Sequence, residues 1–148
     1  DAKNVKLFTD LKVYTKVELE SHYEIKLEKY SKIRNIEVNT MLEMVRQEIL
    51  PAAFKYILVL NGLKTKASAS ISSQLEKLTD ELYAKSEKLD ALHNKASAEN
   101  DCMKKAKIYA DEILPAMKEV RTVADSIEPL LPKEYIPFPT YEDLLFRI

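Results

Sequence analysis

The chain has 148 residues, 46% of them hydrophobic and 32% charged, which is the size of one domain. It contains a single glycine, whereas average usage gives about ten in a soluble chain of this length. Loops that need a positive φ are therefore scarce, which excludes a dinucleotide-binding fingerprint or a P-loop and argues against a hairpin-rich β protein. The 23 basic and 24 acidic residues nearly cancel, so no strong field attracts nucleic acid or an anionic membrane. An all-α architecture is predicted.

The same features predict a cytoplasmic protein without a membrane span. No window approaches the roughly 18 consecutive apolar residues of a spanning helix, and residues 1–10 are charged rather than apolar. The one cysteine, Cys102, has no partner for an internal disulfide, in keeping with a reducing compartment. Because the chain begins with Asp1 rather than Met, we expect it to be part of a longer polypeptide.

Apolar residues at helical spacing predict one long helical segment over residues 1–62. The prediction is a helix from about Leu11 to Leu60 that kinks near Pro51, with Gly62 as a left-handed cap at its end. A helix of about 60 Å is longer than a bundle of this mass needs, so we expect it either to kink or to project toward a partner. Its apolar stripe comprises Tyr23, Leu27, Tyr30, Ile33, Ile36, Leu42, Val45, Ile49, Ala52, Tyr56 and Val59.

Two further helices are predicted over residues 67–94 and 99–128. The short polar link between them makes them antiparallel neighbours, so we expect an antiparallel bundle of about three long helices. The second stripe comprises Ile71, Leu75, Leu78, Leu82, Leu89 and Leu92, with Lys85 in the remaining position. The third comprises Met103, Ala106, Ala110, Ile113, Met117, Val120, Ala124 and Ile127.

Prolines mark two bends and a tail. The sequence Glu-Ile-Leu-Pro-Ala occurs at residues 48–52 and again at 112–116, and each proline is predicted to bend its helix. Residues 129–148 contain four prolines among apolar side chains, which predicts an extended tail docked on the bundle. Thr140 is placed as the cap of a short final helix, Tyr141–Phe146.

No catalytic, cofactor-binding or metal-ligating residue is predicted. A di-metal helical bundle needs two Glu-x-x-His units, and this chain offers only Asp90-x-x-His93, so His93 is placed on a solvated helix face. The other histidine, His22, stands alone. Cys102 lies in a lysine-flanked helical run without the glycine of an exposed nucleophile turn. The neighbouring lysines, which we expect to form a solvated face, are Lys104, Lys105 and Lys107. These residues indicate a helical interaction or structural module.

Several short sequence motifs resemble those of a known family. The run Tyr23–Tyr30, Pro51-Ala52 with Lys55-Tyr56, the segment Pro115–Arg121 with Asp125, and above all the ending Pro137–Phe146 resemble the C-terminal region of type III glutamine synthetases. The likeness extends from about Glu20 to Phe146. The chain departs from the family pattern at Ile136, where tryptophan is usual, and at His22, where arginine is usual.

The resemblance implies that the full-length enzyme joins ammonia to glutamate with ATP and Mg²⁺ or Mn²⁺, whereas this chain carries none of the catalytic motifs. It also implies that the partners are the catalytic domains of the same polypeptide and neighbouring subunits of a homo-oligomer. The chain alone is then inactive, with a structural or oligomer-organising role. The alternative is a free-standing helical-bundle adaptor that binds partner helices through an apolar face. The open reading frame upstream of Asp1 distinguishes the two.

Overall fold

The structure is a computed structural model that describes residues 1–139 and 141–146. The all-α prediction is confirmed, since every regular element in these residues is helical. None of the described helices is both long enough and apolar enough to cross a bilayer. Thr140, predicted to cap the final helix, lies outside the described residues. The α-helices are α1 (Ala2–Asp10), α2 (Lys16–Glu43), α3 (Leu50–Gly62), α4 (Lys66–Ala98), α5 (Cys102–Ile108), α6 (Leu114–Ile127) and α7 (Tyr141–Phe146).

The first helical segment is interrupted, so the prediction of a continuous helix from Leu11 is wrong. Residues 11–15 separate α1 from α2, and Lys12 lies there with a φ of 52°. The physical reason is a new helix start at Thr15. Its hydroxyl accepts from the Glu18 backbone N–H at 3.2 Å, and the Glu18 carboxylate accepts from the Thr15 N–H at 2.7 Å. This reciprocal capping box restarts the helix after the break.

The prediction that Gly62 is a left-handed helix cap is also wrong. The helix α3 does end at Gly62, but no glycine has a positive φ. The chain instead leaves the helix through Leu63, whose backbone is extended at φ −91° and ψ 119°. Thr65 then caps α4, where its hydroxyl accepts from the Ser68 N–H at 3.1 Å. An extended residue followed two positions later by a new cap makes this turn without a left-handed residue.

A wide helical turn precedes each of the two helix prolines. Residues Met44–Ile49 and Tyr109–Ile113 form π-helical segments, and each is followed by an α-helix with proline in its first turn. Proline lacks an N–H and crowds the carbonyl four residues earlier. A π turn inserts one extra residue and shifts the hydrogen-bond register. Both copies of the repeated sequence therefore accommodate their prolines by the same device.

Cross-helix contacts show how the long helices run. Asn61 at the end of α3 accepts a hydrogen bond from Ser72 near the start of α4, at 2.7 Å. Asn35, far upstream in α2, lies 2.6 Å from His93 near the end of α4. The segment α2–α3 is therefore antiparallel to α4. Lys95 of α4 pairs with Glu112 at 2.8 Å, which continues the hairpin into the α5–α6 segment.

The helix α4 lies centrally, in contact with both α3 and α6. Its buried residues follow an unbroken alternation of four and three positions, but only some of them are apolar. The predicted stripe identified Leu75, Leu82 and Leu89 and missed the serine and threonine positions between them. The buried set is Ser68, Ser72, Leu75, Thr79, Leu82, Ser86, Leu89, His93 and Ala96.

In the third helical segment, the buried stripe lies one residue earlier than the predicted stripe at three positions. Tyr109, Ala116 and Val123 are buried, whereas the prediction used the residue that follows each of them. Ala110 and Met103 are exposed, which corrects the prediction that they are core residues. The apolar face is wide enough for two adjacent stripes, and the residues nearest the core lie one position earlier than predicted at these three places. The predicted Met117 and Ala124 are partly buried at the edge of the core.

The residues after α6 fold back on the bundle. Two short 3₁₀ turns, Glu128–Leu130 and Lys133–Tyr135, interrupt the path that was predicted to be extended. The Tyr135 ring lies on that of Tyr56 in α3, with centroids 5.2 Å apart. Leu131 is buried, and Ile136 and Phe138 pack against the core.

Candidate functional site

A set of exposed apolar side chains lies at the N-terminal end of the chain. We call it the N-terminal apolar surface and define it by Leu7, Phe8, Leu11, Val13, Tyr14 and Val17. The helix α1 buries none of its residues. Leu11 is 65% and Val17 is 74% exposed. Two edge contacts between rings occur here. Phe8 contacts Tyr14 at 6.1 Å, and Tyr14 contacts the neighbouring His22 at 5.3 Å, measured between ring centroids.

Such a surface is chemically suited to binding another protein surface. Burying apolar area contributes about 25 cal/mol per Å², and contiguous exposed apolar patches are uncommon in monomeric proteins. A helix of nine residues is not stable in isolation, so α1 depends on packing. Within the described chain that packing comes mainly from α2. The surface therefore marks where further contacts would stabilise the protein.

A second apolar feature is a groove of about 520 Å³ between α2, α6 and the residues after α6. Its walls include Met41, Met44, Met117 and Phe138. Charged side chains stand at its edge, among them Glu37, Arg121 and Asp125. Flexible methionine side chains suit a surface that adapts to the shape of what it contacts.

His93 belongs to a buried polar network, which corrects its predicted place on a solvated face. The side chain is only 8% exposed, and its Nε2 lies 2.6 Å from the Asn35 side-chain oxygen. The Tyr109 hydroxyl donates to the same oxygen at 3.4 Å. Asp90, expected to share a face with His93, instead pairs with Arg46 across the helix interface. Sequence spacing gave no signal for this network because its members lie on three different helical segments.

Burial raises the pKa of the Tyr109 hydroxyl above the ordinary tyrosine value of 10.0. The neutral phenol is therefore favoured in the folded state relative to the unfolded chain. The stability that Tyr109 contributes is fully present below the unfolded-state pKa and is lost as the pH rises through the higher folded-state value.

We expect Tyr109→Phe to remove part of the alkaline loss of stability, because phenylalanine has no hydroxyl to ionise. The measurement is urea unfolding at pH values from about 9 to about 11, on either side of the ordinary tyrosine pKa. Tyr83→Phe is the matched control, since Tyr83 is 55% exposed on α4. Parallel pH profiles for the two variants would contradict the assignment.

The remaining sequence candidates do not assemble into a reactive site. Cys102 is a free, partly exposed thiol. Asp101 caps α5 by accepting from the Lys104 N–H at 2.9 Å, and this hydrogen bond holds the pKa of its carboxyl below the usual value. Lys104 and Lys107 are exposed as expected, whereas Lys105 is half-buried.

The described residues do not fit ATP or a divalent metal ion. Among them no three side chains of His, Cys, Asp or Glu come together as a metal-ligating group. The one glycine, Gly62, lies at the end of a helix and not in a phosphate-binding loop. No catalytic step is therefore assigned to residues of this chain.

Comparison with known proteins gives a consistent match. The family model described as glutamine synthetase C-terminal domain matches residues 1–70. A glutamine synthetase of Butyrivibrio fibrisolvens is 31% identical over 99% of this chain. A type-3 glutamine synthetase of Dictyostelium discoideum is 28% identical over 97% of it. The chain spans 22% of the length of each of these two relatives.

Proposed function

Because this chain belongs to the glutamine synthetase family and corresponds to the C-terminal region of its type III members, we propose that it is a non-catalytic region that organises the full-length enzyme. In this proposal its partners are the catalytic domains of the same polypeptide and neighbouring subunits of a homo-oligomer. The full-length enzyme would join ammonia to glutamate in the cytoplasm with ATP and Mg²⁺ or Mn²⁺, all bound outside this chain.

The observation that carries the proposal is the N-terminal apolar surface. It lies within the residues that match the family model, and its side chains are exposed although they are apolar. Most of the length of both relatives lies outside the part that aligns with this chain, and in this proposal the corresponding part of its polypeptide would cover the surface. Covering it would also supply the packing that α1 lacks.

The proposal is tested in the full-length enzyme with Leu11→Asp and Val17→Asp combined. Two carboxylates in an apolar contact cost several kcal/mol, so we expect smaller assemblies by light scattering and a loss of glutamine formation. The 148-residue chain with the same changes should keep its helical circular dichroism signal, because both side chains are exposed in it.

The matched control is Tyr83→Asp, at a tyrosine that is 55% exposed on α4 and outside the residues 1–70 that match the family model. It should keep the parental mass and activity. A full-length double variant with unchanged mass and activity would overturn the proposal.

The alternative predicted from the sequence, a free-standing adaptor, has weaker support. The apolar groove fits an adaptor that binds a partner helix. Both relatives, however, are much longer proteins that align with nearly the whole of this chain. A start codon close upstream of Asp1 would favour the adaptor, and a long upstream synthetase sequence would exclude it.

A further inference from the structure

We propose that a polar cleft between α2 and the α4–α5 corner binds a small monocarboxylate anion. The cleft has a volume of about 480 Å³. The side chains that matter most to the argument are Ser31, Lys32 and Asn35 on α2, with Lys105 on α5. This inference is independent of the N-terminal apolar surface, which lies on α1 and the start of α2.

Ser31 is the first indication of a ligand. Its side chain is only 6% exposed, and its hydroxyl makes no hydrogen bond within the described chain. Every other buried hydroxyl in the described helices has a partner: Thr79 bonds to the Leu75 carbonyl at 3.0 Å, Ser86 to the Tyr83 carbonyl at 2.8 Å, and Ser72 to the Asn61 side chain at 2.7 Å. Leaving a buried hydroxyl unpaired is unfavourable, so a ligand oxygen that reaches Ser31 from the cleft would be stabilised by this hydrogen bond.

Asn35 supplies a second donor to the cleft. Its side-chain oxygen is occupied by contacts to His93 at 2.6 Å and Tyr109 at 3.4 Å. In this orientation the Asn35 amide nitrogen can donate to a ligand. It makes no hydrogen bond in the part of the chain that the structure describes.

The charges favour an anion. Lys32 pairs with Glu28 at 3.5 Å, so these two largely compensate each other. Lys105 is half-buried and forms no ion pair among the described residues, which leaves one uncompensated positive charge beside the two neutral donors. With Lys32 and Lys105 against Glu28, the cleft has one net positive charge, and Ser97, Asn100 and Tyr109 also line it. A carboxylate has one negative charge and two acceptor oxygens, which suit this charge and the donors of Ser31 and Asn35. A phosphate dianion would require a further free cation.

The experiment is a nuclear magnetic resonance titration of this chain with sodium propionate, at constant ionic strength set by chloride. We expect saturable shifts at Ser31, at the Asn35 side-chain amide and at Lys105. Inorganic phosphate and chloride alone should not produce them. Saturation by phosphate at these residues with no response to propionate would overturn the proposal, as would the absence of any saturable shift.

Variants separate a binding site from nonspecific charge attraction. Lys105→Gln should weaken propionate binding about tenfold, because it removes the only uncompensated charge. Lys107→Gln is the matched control on the same helix, exposed and outside the cleft, and it should leave binding unchanged. Equal effects of the two lysine variants would overturn the proposal.

Ser31→Ala tests the role of Ser31 by two measurements, propionate binding and the melting temperature. It should weaken binding while leaving the melting temperature unchanged or raised, since it deletes an unsatisfied hydroxyl. A lower melting temperature together with unchanged binding would overturn the role of Ser31. None of these outcomes bears on assembly mass, so the docking proposal is tested separately.

Discussion

Replacing Leu82 by alanine is expected to lower the free energy of unfolding by about 2–5 kcal/mol. Leu82 is fully buried near the middle of α4. That helix contacts both α3 and α6, so a cavity there is enclosed from two sides and cannot close by moving one helix. The loss combines the transfer free energy of the missing atoms with the cost of the remaining cavity.

The measurement is urea unfolding followed by far-ultraviolet circular dichroism. Leu58→Ala is the matched control, because it makes the same substitution on a helix at a side chain that is 73% exposed. The control should change stability by no more than about 0.5 kcal/mol. Equal losses for the two variants would contradict the central position of α4.

The all-α class was predictable because it depends on composition and on local periodicity. One glycine in the whole chain removes most β-turn chemistry, and three stripes at helical spacing remain. The core of α4 was only partly predictable. Leu75, Leu82 and Leu89 recur at seven-residue intervals, but the alternate positions Thr79 and Ser86 are polar. These hydroxyls bond to carbonyls of their own helix, so they can be buried without an unpaired polar group. A hydrophobicity pattern does not identify such positions.

The break before α2 had a signal in the sequence, and the signal was local. Thr15 followed three residues later by Glu18 is the pattern of a capping box, and it places the helix start after the predicted one at about Leu11. The positive φ of Lys12 had no comparable signal, because lysine is not a residue that favours this region. Helical periodicity therefore located the helices better than it located their ends.

The polar network was not predictable because its contacts are long-range. Asn35 and His93 are separated by 57 intervening residues and meet only when α2 and α4 are antiparallel in one register. Ser31 was hidden for the same reason, since a serine one turn before Asn35 is unremarkable until α5 covers it. Register between helices is set by the whole interface and not by any local motif.

Asn35→Ala is expected to destabilise the chain by about 2 kcal/mol relative to the same substitution at Asn39. The Asn35 side-chain oxygen accepts from His93 and from Tyr109, which are 8% and 2% exposed. Alanine leaves both of these buried side chains without this acceptor, and unpaired buried donors are costly.

Asn39 makes the comparison specific to the network. It lies one turn further along α2 and is exposed, so both substitutions give the same gain in helix propensity, about 0.6 kcal/mol. Any difference between the two variants in urea unfolding therefore reports the lost hydrogen bonds. Combining Asn35→Ala with Tyr109→Phe should cost less than the sum of the single changes, because one donor is then absent. Additive losses would show that Asn35 and Tyr109 stabilise the chain independently, against the shared network described above.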